Sequence, residues 1–359
     1  MKKLKKPKLP GKIKRPFKRA KAPEQLVTEA LQNVPRITNE TVAEHREEIL
    51  GTARKYIYPL QHSKHNVVRI SLALFVSVVI AFFIYCGLAL YKFQSTSTFI
   101  YGVARVIPCP VAKAGGSWVS YESYLFELRH FMHYYETQQK VNFATKDGKT
   151  QLASFKKRSL TQVINDAYVK RLAAANNVSV NDQEVNNQVE LVRAQNRLGS
   201  SPHVLETVLS EFWGWNVADF KRELKQQLLI QKVVAKLDTG TGERASQALI
   251  RLKNGADFAE LAKQVSEDQN TKGTGGEFSG LITESDRDVS PLVVAELFKL
   301  KPGQYSDIIN TGYTLEIVKV LEVQGNKVRA AHISFTFKDI STYLNPLKAK
   351  QKPHRYINS

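Results

Sequence analysis

The sequence predicts the α+β fold class, with a single transmembrane helix, a helical module and a small module of helices and strands. Three observations predict it: a long uncharged apolar run near residue 80, helical spacing of apolar residues between 117 and 237, and later short helices alternating with strand patterns and Gly-containing turns. The expected parts, in chain order, are a basic and largely disordered cytoplasmic tail (1–66), a transmembrane helix (67–91), a linker (92–116), the helical module (117–237), the mixed module (238–337) and a mobile basic tail (338–359).

The membrane prediction rests on the run from Ile70 to Tyr91, which contains 22 residues and no charge. A helix needs about 20 apolar residues to cross a bilayer. Tyr85 and Tyr91 lie toward its outer end, where aromatic rings favour the membrane interface. The alternative, a buried core helix, is rarely apolar on every side over such a length. We therefore expect residues 67–91 to contact the lipid bilayer.

The distribution of charge predicts the orientation in the cell membrane. Residues 1–69 hold 17 Lys and Arg against 6 Asp and Glu, and the first 21 residues hold 11 basic groups and no acidic one. The positive-inside rule places this end in the cytoplasm and the C-terminal modules outside. A cleaved signal peptide is disfavoured because the apolar run exceeds the usual ~7–15 residues. The tail either contacts anionic lipids or serves only as a solvated topology signal, and a specific nucleic-acid partner is not expected.

The helical module shows recognisable helix starts. Asn181 and Glu184 have capping-box spacing, and Asn216 is expected to cap a helix that runs to about Leu237. Trp213 and Trp215 precede that helix, where they either pack in the core or grip an apolar side chain of a bound polypeptide.

No metal site, cofactor or disulfide is expected. The pairs His62 with His65 and His130 with His133 have no Cys or carboxylate to complete a site. The two cysteines, Cys86 inside the apolar run and Cys109 beyond it, are not expected to pair.

One long segment resembles a chaperone family. The run LTQVINDAYVKRLAAANNVSVNDQEVNNQVELVRAQ, followed later by ADFKRELKQQLLIQKVV, is similar to the N-terminal helical region of the SurA/PrsA/PpiD foldases. The resemblance covers roughly residues 110–237. It implies a surface that holds unfolded exported polypeptides.

A second segment resembles the parvulin-type (PpiC, rotamase) peptidyl-prolyl isomerases. The run NGADFAELAKQVSED, from Asn254 to Asp268, is similar to the family's "nGadFaeLAkeySeD". Gly275-Gly276, the stretch from Pro291 to Gly303 and the closing strand after Gly312-Tyr313 extend the resemblance over about residues 240–323. Turn chemistry and a buried helix face explain part of this pattern without catalysis. The resemblance implies a small α+β fold and, if the site is kept, prolyl isomerase activity (EC 5.2.1.8).

The site positions implied by the resemblance depart from the family. The family's second His corresponds to Thr314, its Met to Val289 and its Phe to Val293, which makes the expected proline pocket smaller and less aromatic. Phe298 is the remaining aromatic side chain expected to line it. The strand that carries the family's first His should precede residue 244, where only a helix end and a flexible joint at 238–243 are expected.

The missing strand is predicted to have moved to the C-terminal side. Val328 to Phe335 reads VRAAHISF, which resembles the family's first strand, "vrasHIlf", and places His332 at the first His position. This is a hypothesis of circular permutation, in which His332 and Thr314 become neighbours. Its alternatives are an ordinary hairpin strand with a surface His and the start of a truncated second repeat.

Two functions of different class follow. The first is a membrane-anchored extracytoplasmic foldase that binds unfolded or proline-containing exported polypeptides, with or without isomerase activity. The second is a structural or regulatory membrane protein that docks a partner complex and keeps an inactive parvulin fold. Proteolysis is not indicated, because no G-x-S-x-G, H-E-x-x-H or Cys–His arrangement is present.

Overall fold

The computed structural model describes residues 37–57, 60–195 and 201–358. The chain divides into two units, residues 1–81 and 82–359. The first unit contains helix α1 (Asn39–Ile57) and most of helix α2 (Leu60–Gly87). Helix α1 includes residues 41–55, where the run TVAEHREEILGTARK is compatible with a short amphipathic helix inside a tail that is otherwise predicted to be largely disordered. The most basic part of that tail, residues 1–22, lies outside the described residues.

Helix α2 forms the core of the apolar segment. His65–Lys92 is a continuous 28-residue helical stretch of strongly apolar composition, and it ends in a π-helical turn at Leu88–Lys92. Its apolar side chains from Val67 to Ile84 are exposed on all sides. By length and composition it is able to cross a membrane.

The second unit begins with the helical module. Its helices are α3 (Thr98–Val106), α4 (Tyr121–Thr137), α5 (Lys146–Ala175), α6 (Asp182–Gln195), α7 (Pro202–Trp213) and α8 (Val217–Leu237), and its strands are β1 (Pro110–Ala114) and β2 (Ser117–Ser120). The largest fully buried side chains of its core include Tyr121, Tyr124 and Tyr168. The prediction of a linker at 92–116 is wrong, because Ile100 of α3 and Val111 of β1 are buried in this core.

Local hydrogen bonds confirm the predicted helix starts. The backbone amide of Glu184 donates to Asn181 Oδ1 at 2.9 Å, and the Asn181 amide donates to Glu184 Oε2 at 2.9 Å. Asn216 and Asp219 form the same reciprocal capping box before α8. Each box satisfies backbone amides that a helix start otherwise leaves without partners.

The mixed module packs helices on both faces of an antiparallel sheet. It contains α9 (Thr239–Lys253), α10 (Phe258–Val265), β3 (Ile282–Thr283), α11 (Pro291–Leu297), β4 (Ile309–Asn310), β5 (Thr314–Gln324) and β6 (Lys327–Thr336), with sheet order β3-β6-β5-β4. One face of β5 and β6 contacts α9 and α10, and the other contacts α11. The predicted flexible joint at 238–243 is wrong, because α9 begins at Thr239 and the carboxylate of buried Asp238 accepts hydrogen bonds from Thr241 and the Lys338 amide.

Strand β6 is an interior strand, as the permutation hypothesis requires. It pairs with β5 on one side, with Val318 opposite His332, and with β3 on the other. His332 is only 7% exposed, which excludes a hairpin strand with a surface His.

The C-terminal segment is ordered rather than a mobile tail. Helix α12 (Ser341–Lys350) buries Leu344 in the core of the helical module, and strand β7 (His354–Arg355) pairs with β1. The side chain of Tyr168 donates a hydrogen bond to the Gln351 carbonyl. The mixed module is therefore inserted between α8 and α12, and both ends of the second unit contribute to the helical core.

Candidate functional site

The mixed module buries one imidazole on the sheet face that packs against α11. His332 lies on β6 on the same face as Val318, its partner on β5. The Phe278 ring lies 4.4 Å from the imidazole, centroid to centroid. The His332 backbone amide donates to the Gly276 carbonyl at 2.8 Å, which fixes the loop before β3 against this strand.

Carboxylates lie at both nitrogens of this imidazole. His332 Nδ1 is 3.0 Å from Glu316 Oε2, and His332 Nε2 is 3.0 Å from Asp268 Oδ2. The Thr271 hydroxyl lies 2.9 Å from Nε2 and donates to Asp268 Oδ2 at 2.7 Å. The four side chains form one connected network, so the orientation of the ring is fixed from both edges.

The network sets the charge of the site. Burial alone lowers the pKa of His332, but the hydrogen bonds and negative charges of Glu316 and Asp268 outweigh it, so the pKa lies above its ordinary value. Burial opposes ionisation of Asp268, yet donors from Thr271 and the Asn270 amide, together with His332, hold its pKa below the ordinary range. The arrangement therefore favours the imidazolium form of His332, held between two carboxylates.

Two glycines allow the loop to approach the strand. Gly275 and Gly276 have φ of +73° and +85°. A Cβ on Gly276 would lie 2.1 Å from the His332 carbonyl oxygen, and one on Gly275 would lie 2.6 Å from the Cβ of Ala259. Only glycine is compatible with this close packing.

The structure brings Thr314 to the network but not into contact with His332. Thr314 pairs with Thr336 at the start of β5, and its hydroxyl donates to Glu316 Oε1 at 2.8 Å. Glu316 is therefore the side chain next to His332, and sequence reasoning missed it. Counting from Gly312-Tyr313 selects Thr314, whereas aligning the later IVKV with the family's closing "iikV" selects Glu316, because this chain has two extra residues in the strand.

Only part of the predicted apolar wall of the proline pocket is accessible to a substrate. Val293 has no exposed surface and packs with Val318 in the core beneath α11, so the expectation that it contacts substrate is wrong for this conformation. Val289 and Phe298 are half-buried against the same core, and their contact with substrate stays a prediction.

Trp213 and Trp215, the tryptophans that precede α8, lie in an aromatic cluster. Trp215 stacks on His130 at 4.4 Å and on Phe126 at 5.6 Å, and Trp213 stacks on Tyr134 at 5.2 Å. Burial, with a smaller effect from nearby positive charge, lowers the pKa of His130 to about 4. These contacts favour core packing over a grip on a bound polypeptide.

Comparison with known proteins agrees with both modules. Residues 60–234 match a family model described as a SurA-like N-terminal domain, and residues 228–322 match one described as a PPIC-type PPIase domain. This chain joins a SurA-like domain to a PPIC-type rotamase domain. The rotamase match ends before β6, which therefore lies outside it although it is interior to the sheet.

The relatives with similar sequences are named as foldases. The chain is 35% identical to foldase protein PrsA 3 of Bacillus cereus over 104 residues, covering 29% of this chain and 34% of that one. It is 26% identical to foldase protein PrsA of Clostridium acetobutylicum over 223 residues, covering 52% of this chain and 64% of that one. The matches thus span from about a third to just under two thirds of these relatives.

A solved structure of foldase protein PrsA from Streptococcus pneumoniae is also similar. The match covers 57% of this chain and 80% of that one, at 19% identity and a TM-score of 0.22. The architecture described above therefore rests on the contacts within this chain.

Proposed function

We propose that this protein is a membrane-anchored extracytoplasmic foldase. Its SurA-like domain binds unfolded exported polypeptides, and its PPIC-type domain isomerises peptidyl-prolyl bonds at His332. The observation that carries the isomerase proposal is the buried imidazole between Asp268 and Glu316, because fixed charges on a sheet face are what this reaction requires.

The chemistry follows from amide resonance. The planar bond carries negative charge on its carbonyl oxygen, and losing that resonance gives the barrier of about 18–20 kcal/mol. The twisted bond carries less charge on oxygen and a more basic nitrogen. Carboxylates near the oxygen, supplied by Asp268 and Glu316, disfavour the planar form relative to the twisted one, and hydrogen bonds from His332 and Thr271 hold those carboxylates in place. No covalent intermediate is needed.

The anchor and the orientation come from α2 and its flanks. The stretch from His65 to Lys92 exposes apolar side chains on all sides, and the basic excess of residues 1–69 favours a cytoplasmic N-terminus. Under this topology the SurA-like domain begins at the outer membrane surface, where exported chains emerge. The basic residues before α2 then face the anionic inner leaflet.

One observation favours a second candidate, a tethered chaperone or docking protein with an inactive rotamase fold. His332 is only 7% exposed and Val293 has no exposed surface, so the site offers a substrate little surface in this conformation. In this case the rotamase domain has only a structural role, for example as a spacer.

The test uses the full chain in nanodiscs. Refolding of a substrate limited by prolyl isomerisation is measured beside aggregation of an unrelated unfolded protein that lacks proline. The variant His332→Ala removes the imidazole, and His203→Ala, at an exposed position of α7, is the matched control. Because removing one positioned polar group from an electrostatic site costs about 10²–10³-fold, we expect His332→Ala to lose at least about 100-fold in catalysed refolding and to keep aggregation suppression.

The outcomes separate the candidates. Refolding that neither protein accelerates, with aggregation suppression intact, rejects the isomerase and leaves the tethered chaperone. Failure of both assays, with one defined protein copurifying, supports the docking role instead.

A further inference from the structure

The SurA-like domain contains a large cavity that the rotamase site does not use. Its volume is about 710 Å³, and it lies among β2, α4, α5 and α8. Pockets for small-molecule ligands are typically about 300–1,000 Å³. The cavity is therefore large enough to receive side chains of an extended polypeptide.

Its walls are mostly apolar. They include side chains from β2, α5, the segment before α6, and α8: Val119, Val163, Ala167, Ala173, Val178 and Leu229. Trp118 also lines it and is 62% exposed, with its ring stacked on Tyr356. A large exposed ring beside an apolar cavity is a common anchor for a bound chain.

Three acidic side chains also line the cavity. They are Glu127 of α4, Asp166 of α5 and Glu223 of α8. Asp166 accepts hydrogen bonds from the amides of Gln162 and Gln226 at 3.2 and 3.1 Å. Among residues 37–57, 60–195 and 201–358, no cation forms an ion pair with any of the three.

The basic residues that line the cavity are engaged elsewhere or lie at the rim. Arg222 is bonded to Glu122 at 2.6 and 3.1 Å, and Lys225 is paired with Asp182 at 3.0 Å. Lys170 is exposed and acts on Asp166 only through space. Arg222 and Lys225 are thus paired with Glu122 and Asp182, which leaves the three carboxyl groups of the cavity without a paired cation.

The electrostatics agree with this geometry. Burial, followed by repulsion from Glu223 and Asp166, raises the pKa of Glu127 to about 8, although Arg222 and Arg158 oppose it. Burial and Glu223 raise the pKa of Asp166 to about 7, against Lys170 and the two glutamines. A cation in the cavity would offset both the burial and the repulsion.

We propose that this cavity binds a lysine or arginine side chain of the client polypeptide, with the neighbouring apolar side chains of the client against the apolar walls and Trp118. The inference rests on the foldase function proposed above and specifies which unfolded segments it takes. Apolar walls alone accept any hydrophobic segment, whereas partly buried carboxylates disfavour an acidic one and favour a basic one.

The test measures binding of three labelled, proline-free peptides to the full chain in nanodiscs of phosphatidylcholine, an uncharged surface that does not attract the basic peptide. The first peptide has two Leu-Lys-Leu units in a Gly-Ser background, and the others replace each lysine by glutamine or by glutamate. Fluorescence anisotropy is read at pH 8.5, above the pKa values of about 8 for Glu127 and about 7 for Asp166, and at 50 mM salt, with empty nanodiscs subtracted.

The variant Glu127→Gln/Glu223→Gln removes two carboxylates while keeping the shape of the cavity. The single exchange Glu190→Gln, at an exposed position of α6, controls for a surface charge change. We expect the wild-type chain to bind the lysine peptide at least about tenfold more tightly than the glutamate peptide, and the double variant to lose about tenfold for the lysine peptide only. Circular dichroism checks that the variant is folded.

Each other outcome has its own meaning. Equal binding of all three peptides, or unchanged lysine-peptide binding by the double variant, overturns the charge selection but leaves the chaperone function in place. No binding of any peptide, with aggregation suppression also absent, overturns both the inference and the holding function. A steric variant, Ala174→Trp at the exposed edge of the cavity, should weaken the lysine and glutamine peptides alike, and no weakening of either places binding outside the cavity.

Discussion

The rotamase site and the SurA-like cavity use the same residue types in opposite ways. In the rotamase site, Asp268 and Glu316 both contact His332, so the chain supplies its own counter-charge. In the cavity, Glu127, Asp166 and Glu223 have no such partner among the described residues. A self-paired network fixes one geometry, as a chemical step requires. The carboxyl groups of the cavity have no paired cation, so they can pair with a cation that a ligand brings.

The largest effect is expected at the loop that closes the rotamase site. Gly276→Ala places a Cβ 2.1 Å from the His332 carbonyl at a φ of +85°, so strand and loop must separate. We expect the rotamase domain to lose at least about 3 kcal/mol of stability and the isomerase activity, as strained positions with a backbone clash do. Peptide binding by the SurA-like cavity should remain.

Thermal unfolding and peptide anisotropy measure this difference between the two regions. Gly273→Ala is the matched control, because a Cβ there meets no atom within 4 Å. If peptide binding and isomerase activity were both lost, the two regions would fold as one unit, and the contrast between them would not hold.

The second prediction concerns stability against pH in the cavity. Folding raises the pKa of Glu127 to about 8 and of Asp166 to about 7, so the folded state holds these protons more tightly than the unfolded state. The stabilisation is complete below the unfolded pKa near 4–4.5 and is lost as the pH rises through 7 to 8. We expect the free energy of unfolding to fall between pH 5 and pH 8.5, by at most about 1.4 kcal/mol per pH unit for each carboxyl group that is protonated only in the folded state.

The variant Glu127→Gln/Asp166→Asn should remove most of that slope. His332 contributes a slope of the same sign because its pKa is also raised, so the quantity to compare is the difference between wild type and variant across the range. Glu190→Gln should show the same dependence of the unfolding free energy on pH as the wild type. A variant with the full wild-type slope would mean that these carboxyls titrate normally and that the cavity is better solvated than its walls suggest.

The sequence predicted much of the framework because local signals determine it. The apolar run, the capping box at Asn181 and the helix cap at Asn216 depend on neighbouring residues, and the structure confirms the helices and both caps. The pattern of Val328–Phe335 also predicted a strand, and the structure has that strand in the interior of the sheet. These features need no knowledge of distant contacts.

What the sequence missed depends on contacts between distant segments. Leu344 and β7 are ordered because they complete a core and a sheet whose other members lie more than 100 residues earlier in the chain. The local sequence shows only the basic composition of this segment, which suggested a free tail. The position of Glu316 beside His332 depends on the register of β5 against β6, and a two-residue offset in the strand moved the prediction to Thr314. Asp268 was seen only as part of a motif, since nothing local shows that it meets β6.

The third prediction sharpens the role of Glu316. Glu316→Gln removes a charge that, after the opposing effect of burial, raises the pKa of His332 most. The lowered pKa should shift the pH–rate profile of isomerisation toward lower pH and reduce the rate at pH 7.5 by about tenfold. Glu322→Gln, at an exposed position of the same strand, should change neither. A uniform loss without a shift of the profile would mean that Glu316 acts only on folding.

The smallest effect is expected where the two domains meet. The Tyr313 hydroxyl accepts a hydrogen bond from Gln227 Nε2 of α8 at 2.5 Å, but Tyr313 is 58% exposed, so water competes for both groups. Tyr313→Phe should cost about 0.5–1 kcal/mol.

A double-mutant cycle with Gln227→Ala isolates this contact, and Tyr305→Phe controls for loss of a hydroxyl on the same domain. We expect a coupling energy of about 0.5–1 kcal/mol, because the shared core of α8 holds the domains together mainly through Ile230 and Val234. A coupling above about 2 kcal/mol would exceed what an exposed hydrogen bond provides. It would mean that the turn at Gly312, whose added Cβ would lie 2.6 Å from the Gln231 side chain, holds the two domains together more strongly than one exposed hydrogen bond can.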